Sequence, residues 1–389
     1  MNPLLLEAVT SEKALEALAP EWERLALQLS PRLPFQQPWW HLAWFRRFAE
    51  DRAGIRDTLS VRVLRRTNGE LAAVVPLMIT ERPAKGPFRT RTLQFVGTDP
   101  NLTEVRGVVC RAEDEADVFR TLLGSLRRER SGWDLALWSG LRRGGDAERL
   151  VLAEPGVELG REVPDYVLDL PATWEALRAG LSRNLKESLR KCANAPKRDG
   201  LAFTFRVVTE RAEMGAALEA FFALHHARAA ASTQVVHPDA FVSSHSKEFL
   251  RYLAREGSPP GTFRVYQLRL GDRVLATRVG MVIGDILYLY YSGYDPEFSK
   301  YSVMTTCVAW ALRHAVESGI KQVNLSTGND ISKTRWGPSE IWFHDALWVS
   351  PSLRGRISRE GYAIAEMARS QLQNPSPLVR FLAFGARHR

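Results

Sequence analysis

Asp285-Ile286-Leu287-Tyr288-Leu289-Tyr290-Tyr291-Ser292-Gly293-Tyr294-Asp295 opens the stretch that decides the fold, which runs on to Pro338. Ile286 to Tyr291 is aromatic and β-branched between Gly284 and Gly293, the pattern of a strand. Tyr294-Asp295-Pro296 is turn chemistry, because the residue before a proline avoids the α region. From Ser302 the period changes: Val303, Cys307, Trp310, Leu312 and Val316 follow helical spacing, and Gly319 is a natural stop. Val323 to Leu325 begins another short strand. The unit is strand, loop, helix, strand. It brings the free N–H groups of a helix N-terminus to one place, which attracts an anion such as a diphosphate.

Upstream, Thr262–Leu270, Arg273–Ile283 and Asp285–Ser292 read as consecutive strands joined at Gly271-Asp272 and Gly284-Asp285, an antiparallel meander. Leu201–Val208 reads as a strand, and Glu213–Arg228 and Ala240–Glu256 as helices. Thr173–Asn194 is expected to be one helix capped by Thr173, with Trp174, Leu177, Leu181, Leu185 and Leu189 on its buried side. Its other side carries Arg178, Arg183, Lys186, Arg190 and Lys191. That is either a solvated face or a wall that meets an anion. The first half has its own pattern. Leu4–Val9 is a strand, followed by a helix that Ser11 caps and Pro20 could kink. Trp40, Trp44 and Phe48 form an apolar stripe read as core. Leu59–Leu64 and Leu71–Ile79 flank an Asn68-Gly69 hairpin turn. Thr92–Val96 and Gly107–Val109 are strands, Ala112–Arg128 a helix and Trp133–Trp138 a strand. Gly140–Pro164 lacks sustained periodicity, and Tyr166–Leu170 could pair with either half, so the domain boundary falls near 160–170.

A chain of 389 residues exceeds one compact core, which makes two domains the default. The net charge of +9 favours anionic partners, unless it reflects only arginine usage on the surface. Cys110, Cys192 and Cys307 have neither disulfide nor metal spacing, which suits a reducing compartment. No signal-peptide pattern opens the chain and no window has the apolar length of a membrane span. A soluble, cytoplasmic protein is expected. Pro351–Arg389 is arginine-rich with two weakly amphipathic helices. There Leu378, Phe381, Leu382 and Phe384 pack on the body or make a peripheral membrane contact.

Four segments together resemble the GNAT acyltransferase superfamily, and within it the CelD-like branch related to Fem-type transferases. They are Pro34-Phe35-Gln36-Gln37-Pro38-Trp39-Trp40 with Gly69 to Leu77; Leu181-Ser182-Arg183-Asn184-Leu185-Lys186; Leu224-His225 with Arg228 and His237-Pro238; and Ser292-Gly293-Tyr294-Asp295 with Gly328 to Trp336. The resemblance implies an α+β fold of two GNAT-like domains in tandem, each a twisted, mostly antiparallel sheet flanked by helices. It implies a non-catalytic N-terminal domain over 1–165, an acyltransferase domain over 166–350 and a basic helical extension over 351–389. It further implies acetyl-CoA or another acyl-CoA as co-substrate, and an amine or hydroxyl acceptor from envelope-polysaccharide synthesis.

Acyl transfer from a thioester needs a donor for the carbonyl oxygen, a group that takes the acceptor's proton, and both substrates in register. The resemblance puts the oxygen donor on backbone N–H groups near Tyr290 to Ser292. It puts the coenzyme against Tyr291, Ser292, Lys300, Ser302, Val303, Met304 and Thr305. For the proton acceptor, Asp295 or Tyr294 comes first and His225 next. Acceptor-binding candidates are Arg183, Lys186, Arg190, Arg228, Lys333 and Trp336; no metal is expected. Two positions depart from the family: Val303-Met304 stands where relatives place Pro-Gly, and Asn324 where relatives often carry an acid. The alternatives are a Fem-like aminoacyl transferase using charged tRNA, and a degenerate scaffold that partners a polysaccharide synthase. DNA is not an expected partner.

Overall fold

The computed structural model describes residues 4–83, 85–86, 89–99, 101–231 and 238–373. The first half forms β1 (Leu4–Val9), α1 (Glu12–Ala26), α2 (Pro38–Phe48), β2 (Asp51–Arg52), β3 (Ile55–Leu59), β4 (Val61–Arg66), β5 (Leu71–Val75), β6 (Leu77–Arg82), β7 (Thr90–Phe95), β8 (Val109–Cys110), α3 (Glu115–Arg128), β9 (Leu135–Arg142) and α4 (Asp146–Leu152). The second forms β10 (Val157–Asp169), α5 (Trp174–Gly180), α6 (Arg183–Arg198), β11 (Phe203–Val208), α7 (Arg211–Ala230), α8 (Ser244–Tyr252), β12 (Phe263–Leu270), β13 (Arg273–Ile283), β14 (Ile286–Tyr294), α9 (Val303–Glu317), β15 (Gln322–Thr327), α10 (Ile331–Thr334), β16 (Ser339–Val349) and α11 (Leu353–Gln373). His237 and the apolar residues Leu378, Phe381, Leu382 and Phe384 lie outside the described residues.

The result is a mixed α/β fold of two related halves. Twelve strands form one sheet in the order β11-β12-β13-β14-β15-β10-β16-β9-β7-β6-β3-β2, and β1-β4-β5-β8 form a second. The large sheet is continuous because β10 pairs with both β15 and β16, and β16 pairs with β9. Two neighbouring pairs run parallel, β14 with β15 and β7 with β9. Each pair brackets a helix in sequence, α9 in the second half and α3 in the first. A parallel pair needs a crossover, and a helix packed on the sheet supplies it.

Local chemistry explains where elements start and stop. The Ser11 hydroxyl accepts the Ala14 N–H at 3.3 Å and caps α1. Pro20 is exposed and the helix passes through it, so the carbonyl it leaves unpaired can face water. The expected strand Leu71–Ile79 is two strands, because Pro76 has no N–H to carry the ladder on. β5 belongs to the small sheet and β6 to the large one. The expected helix Thr173–Asn194 is also two. Thr173 caps α5, and the Ser182 hydroxyl starts α6 by accepting the Leu185 N–H at 3.3 Å. Likewise Ser243 starts α8, which leaves Ala240 to Ser243 outside the helix. Gly140–Pro164, without clear periodicity, holds α4 and most of β10.

Three buried clusters make the core. One surrounds α9, α5 and α6, and a second surrounds α3 with Trp138 and Trp348. The third joins the halves: Phe35 lies 5.2 Å from the Tyr288 ring, and Trp40 lies 5.2 Å from Phe249. The aromatic stripe of α2 is therefore core, and it is core shared with the second half. Among the described residues no helix is long and apolar enough to cross a membrane.

Candidate active site

β14 and β15 pair only at Ile286 with Gln322, Leu287 with Val323 and Tyr288 with Asn324, then part. β14 continues to Tyr294 and β15 to Thr327 without facing each other. On its other edge β14 bulges: Leu289 pairs with Gly280 and Ser292 with Arg278, so Tyr290 and Tyr291 oppose one residue. A bulge bends the strand and redirects its groups. Arg278 sits where the strands part. Its Nη2 donates to the Leu289 carbonyl at 3.0 Å and the Leu325 carbonyl at 3.4 Å, one on each strand. The side chain is buried, and that burial, then the nearby Arg228, pulls its pKa down to about 10.

The wall of this opening comes from the first half. The Tyr288 hydroxyl donates to Glu104, Tyr290 donates to the Leu102 carbonyl at 2.5 Å, and Tyr291 to the Asn101 carbonyl at 2.5 Å. Asp99 shapes that segment by accepting the Trp44 indole N–H and the Asn101 and Thr103 amides. Glu104 keeps some exposure, yet desolvation pushes its carboxyl up to about 7 against the pull of Lys333 and the Tyr288 bond. Asp165 on β10 is fully buried. It accepts the Asn324 Nδ2 at 2.7 Å, and its Oδ1 has no partner among the described residues. Burial pushes it up to about 6. The Asn324 amide is oriented by its Oδ1, which accepts the Ser326 N–H at 2.7 Å. Lys333 Nζ donates to the Thr327 and Gly328 carbonyls, and desolvation pulls it down to about 8. Two acids and a base thus titrate near neutrality beside one opening, the condition in which side chains exchange protons readily.

Only some of the sequence candidates meet here. Lys333 belongs to the cluster. Arg228 adjoins it, with Nη1 donating to the Ser292 hydroxyl at 2.8 Å. His225 is buried with both ring nitrogens engaged. Nδ1–H donates to the Ser292 carbonyl at 2.8 Å, and Nε2 accepts the Ala240 N–H at 3.3 Å. Burial lowers its pKa, so it holds β14 as a neutral ring. Asp295 caps the 3-10 turn Pro296–Tyr301 by accepting the Glu297 N–H at 3.1 Å, and it pairs with Arg273 at 2.5 Å. Tyr294 ends β14, 6.0 Å from the Arg228 guanidinium. Trp336 is buried in the core around α9. Arg183, Lys186 and Arg190 are exposed on α6, with Lys186 bonded to the Ala179 carbonyl and Arg190 to Glu187.

The remaining candidates form the start of α9. Ser302 is left-handed at φ 53°, and Val303, Met304 and Thr305 make the first turn, which holds no acidic residue. The Arg335 Nη1 lies 3.5 Å from the Thr305 hydroxyl, and Lys300 stands exposed in the preceding turn. The counterpart α3 starts with Glu115 and Asp117, directly after Glu113 and Asp114. Its end therefore repels an anion that the α9 end would attract. Glu104 and Asp165 escaped the sequence reading. Glu104 is a single acid in a loop. Asp165 carried the one available signal, an acid at the head of the apolar run Tyr166-Val167-Leu168.

Residues 182–334 match the sequence model of the acetyltransferase (GNAT) domain. Among solved structures, that of FemX aligns with a TM-score of 0.57 at 11% identity, covering 87% of this chain and 96% of its own. The C-terminal domain of a putative lysylphosphatidylglycerol synthetase from Agrobacterium fabrum gives 0.48 at 14% identity, over 93% and 97%. A tandem GNAT protein from the clavulanic acid pathway gives 0.43 at 12% identity, over 90% and 99%. No curated protein matches the chain. The likeness to FemX is one of fold. The sequence match places a GNAT acetyltransferase domain over residues 182–334, and that domain supports an acyltransferase.

Proposed function

We propose that residues 166–350 transfer an acyl group from acyl-CoA to an amine or hydroxyl of an envelope-polysaccharide precursor in the cytoplasm, as in the CelD-like branch. The first half, 1–165, holds no coenzyme and 351–389 is an extension. The observation that carries this reading is the parting of β14 and β15 beside Glu104, Asp165 and Lys333.

The start of α9 fits a diphosphate: its first turn is free of acid, and Lys300 and Arg335 supply charge nearby. Val303, Met304 and Thr305 would hold it through their N–H groups, with Met304 narrowing the approach that a glycine would leave open. Acyl-CoA supplies a carbonyl activated by a sulfur leaving group. The N–H groups of Tyr290 to Ser292 on the bulge face the carbonyl oxygen as it gains charge. Glu104 takes the proton from the acceptor's nitrogen or oxygen as that atom bonds the carbonyl carbon. As the carbon–sulfur bond breaks, Lys333 Nζ gives the departing sulfur a proton, and Glu104 returns its own through solvent. In place of Tyr294, and of Asp295 and His225, which Arg273 and the Ser292 carbonyl and Ala240 amide already engage, Glu104 is the group we assign as proton acceptor.

A second reading, aminoacyl transfer from charged tRNA, is favoured by the exposed Arg183, Lys186 and Arg190 on α6. Thermal denaturation with acetyl-CoA, longer acyl-CoAs and charged tRNA separates the two. An upward shift with an acyl-CoA, and thiol release on adding an amino-sugar acceptor, is the expected result. Salt-sensitive stabilisation by tRNA alone would replace the first reading with the second. No response to any of them would leave a scaffold without catalysis.

A further inference from the structure

The guanidinium at the parting of β14 and β15 is an unusual floor for an acyl pocket. Arg278 is 7% exposed, and its Nε is buried without a partner among the described residues. Its hydrogen bonds go to two neutral carbonyls, and it makes no ion pair among the described residues. The charged groups that face it are Arg228, Glu104 and Asp330. Glu104 divides its charge between Arg278 and Lys333 while accepting the Tyr288 hydroxyl, and Arg228 adds a second positive charge held on Ser292. A buried cation bonded only to neutral groups lacks the compensation that an ion pair gives. A bound anion would supply it, and guanidinium recognises a carboxylate best.

We infer that Arg278 binds the distal carboxylate of a short acyl group, so that the donor is a dicarboxylic acyl thioester of the succinyl or malonyl class. This rests on the acyl-CoA reading above. The position fits, because the Arg278 guanidinium reaches from β13 to the Leu289 and Leu325 carbonyls, each one residue past the last β14–β15 pair, at the closed end of the opening. A hydrocarbon chain placed there would leave the buried guanidinium without a counter-charge.

The test compares succinyl-CoA with butyryl-CoA, which match in chain length and differ in the terminal carboxylate. Both are titrated calorimetrically into the full chain, with acetyl-CoA as reference. We expect succinyl-CoA to bind at least tenfold tighter than butyryl-CoA, and Arg278→Met to bring the ratio within twofold. Arg278→Lys should keep a reduced preference and serves if the methionine variant fails to fold. Equal or tighter binding of butyryl-CoA to the unaltered protein overturns the inference and leaves acyl transfer standing. A succinyl preference that survives Arg278→Met also overturns it. If none of the three thioesters binds, the acyl-CoA reading itself fails and takes the inference with it.

Discussion

Replacing Glu104 with glutamine separates a proton acceptor from a structural prop. The isostere still accepts the Tyr288 hydroxyl, so the first-half segment keeps its anchor. The carboxyl rises from 4.5 to about 7, and at about 1.4 kcal/mol per pKa unit that is roughly 3 kcal/mol between its two protonation states. The sign follows from linkage. A raised folded-state pKa means that the native chain holds its proton where the unfolded chain has lost it. The stabilisation is complete below 4.5 and disappears as pH rises through 7. At pH 8 the unaltered protein carries the desolvated charge and the glutamine variant does not. Glu104→Gln should therefore unfold later in urea at pH 8, by up to roughly 3 kcal/mol, and match the parent near pH 4. Its kcat should fall by about 10² to 10⁴, the range for losing a general base, and kcat/KM should lose the rise centred near pH 7. Activity within threefold of the parent, with that rise intact, would refute the assignment. Equal destabilisation at pH 5 and pH 8 would show that Glu104 only holds the fold.

Asp165→Asn should also stabilise the chain at pH 8, by roughly 3 kcal/mol from the rise of 3.8 to about 6, measured by urea denaturation. His41, buried against Trp22 with a pKa lowered from 6.5 to about 4, acts oppositely. Its contribution is present above 6.5 and lost as pH falls through 4, so His41→Gln should flatten that part of the stability curve by roughly 3 kcal/mol. Gly293→Ala would place a Cβ 2.4 Å from the His225 backbone nitrogen, and the overpacking should cost about 1 to 3 kcal/mol, read from the thermal midpoint. Met304→Gly should lower the Kd of acetyl-CoA several-fold by calorimetry while costing about 1 kcal/mol of helix stability.

The parts of the fold legible in the sequence are those whose signals are local. The meander from Phe263 to Tyr294 is marked by alternation and turn glycines, and α9 by a change of period followed by Gly319 at φ 77°. Breaks inside continuous apolar patterns were harder. Leu71 to Ile79 keeps its apolar character across Pro76, and the leucine ladder runs unbroken across Leu181-Ser182, so only the proline and the serine betrayed the divisions. The site was least legible because its bonds span the chain. Tyr288 meets Glu104 at a separation of 184 residues, and Asn324 meets Asp165 at 159. Periodicity carries no information at that range. Tyr288, Tyr290 and Tyr291 read as strand packing; their rings do pack, and their hydroxyls also seize a segment of the other half.

The same segment explains why one half is open and the other closed. β7 and β9 also part after a short parallel pairing, at Leu93 with Ala136. In that opening Arg106 and Gly107 run along Ser139 and Gly140. Gly140 has φ 69°, and a Cβ there would lie 1.9 Å from the Arg106 carbonyl oxygen. The first opening is thus filled by backbone, and the fit demands glycine. Two residues earlier in sequence, Glu104 takes the Tyr288 hydroxyl of the second half. Filling one opening and furnishing the other are a single geometric act. The start of α3 carries acids, whereas the first turn of α9 carries none. The strand edges exposed by parting in the first half are thus covered by chain whose neighbouring residue the second half needs in place.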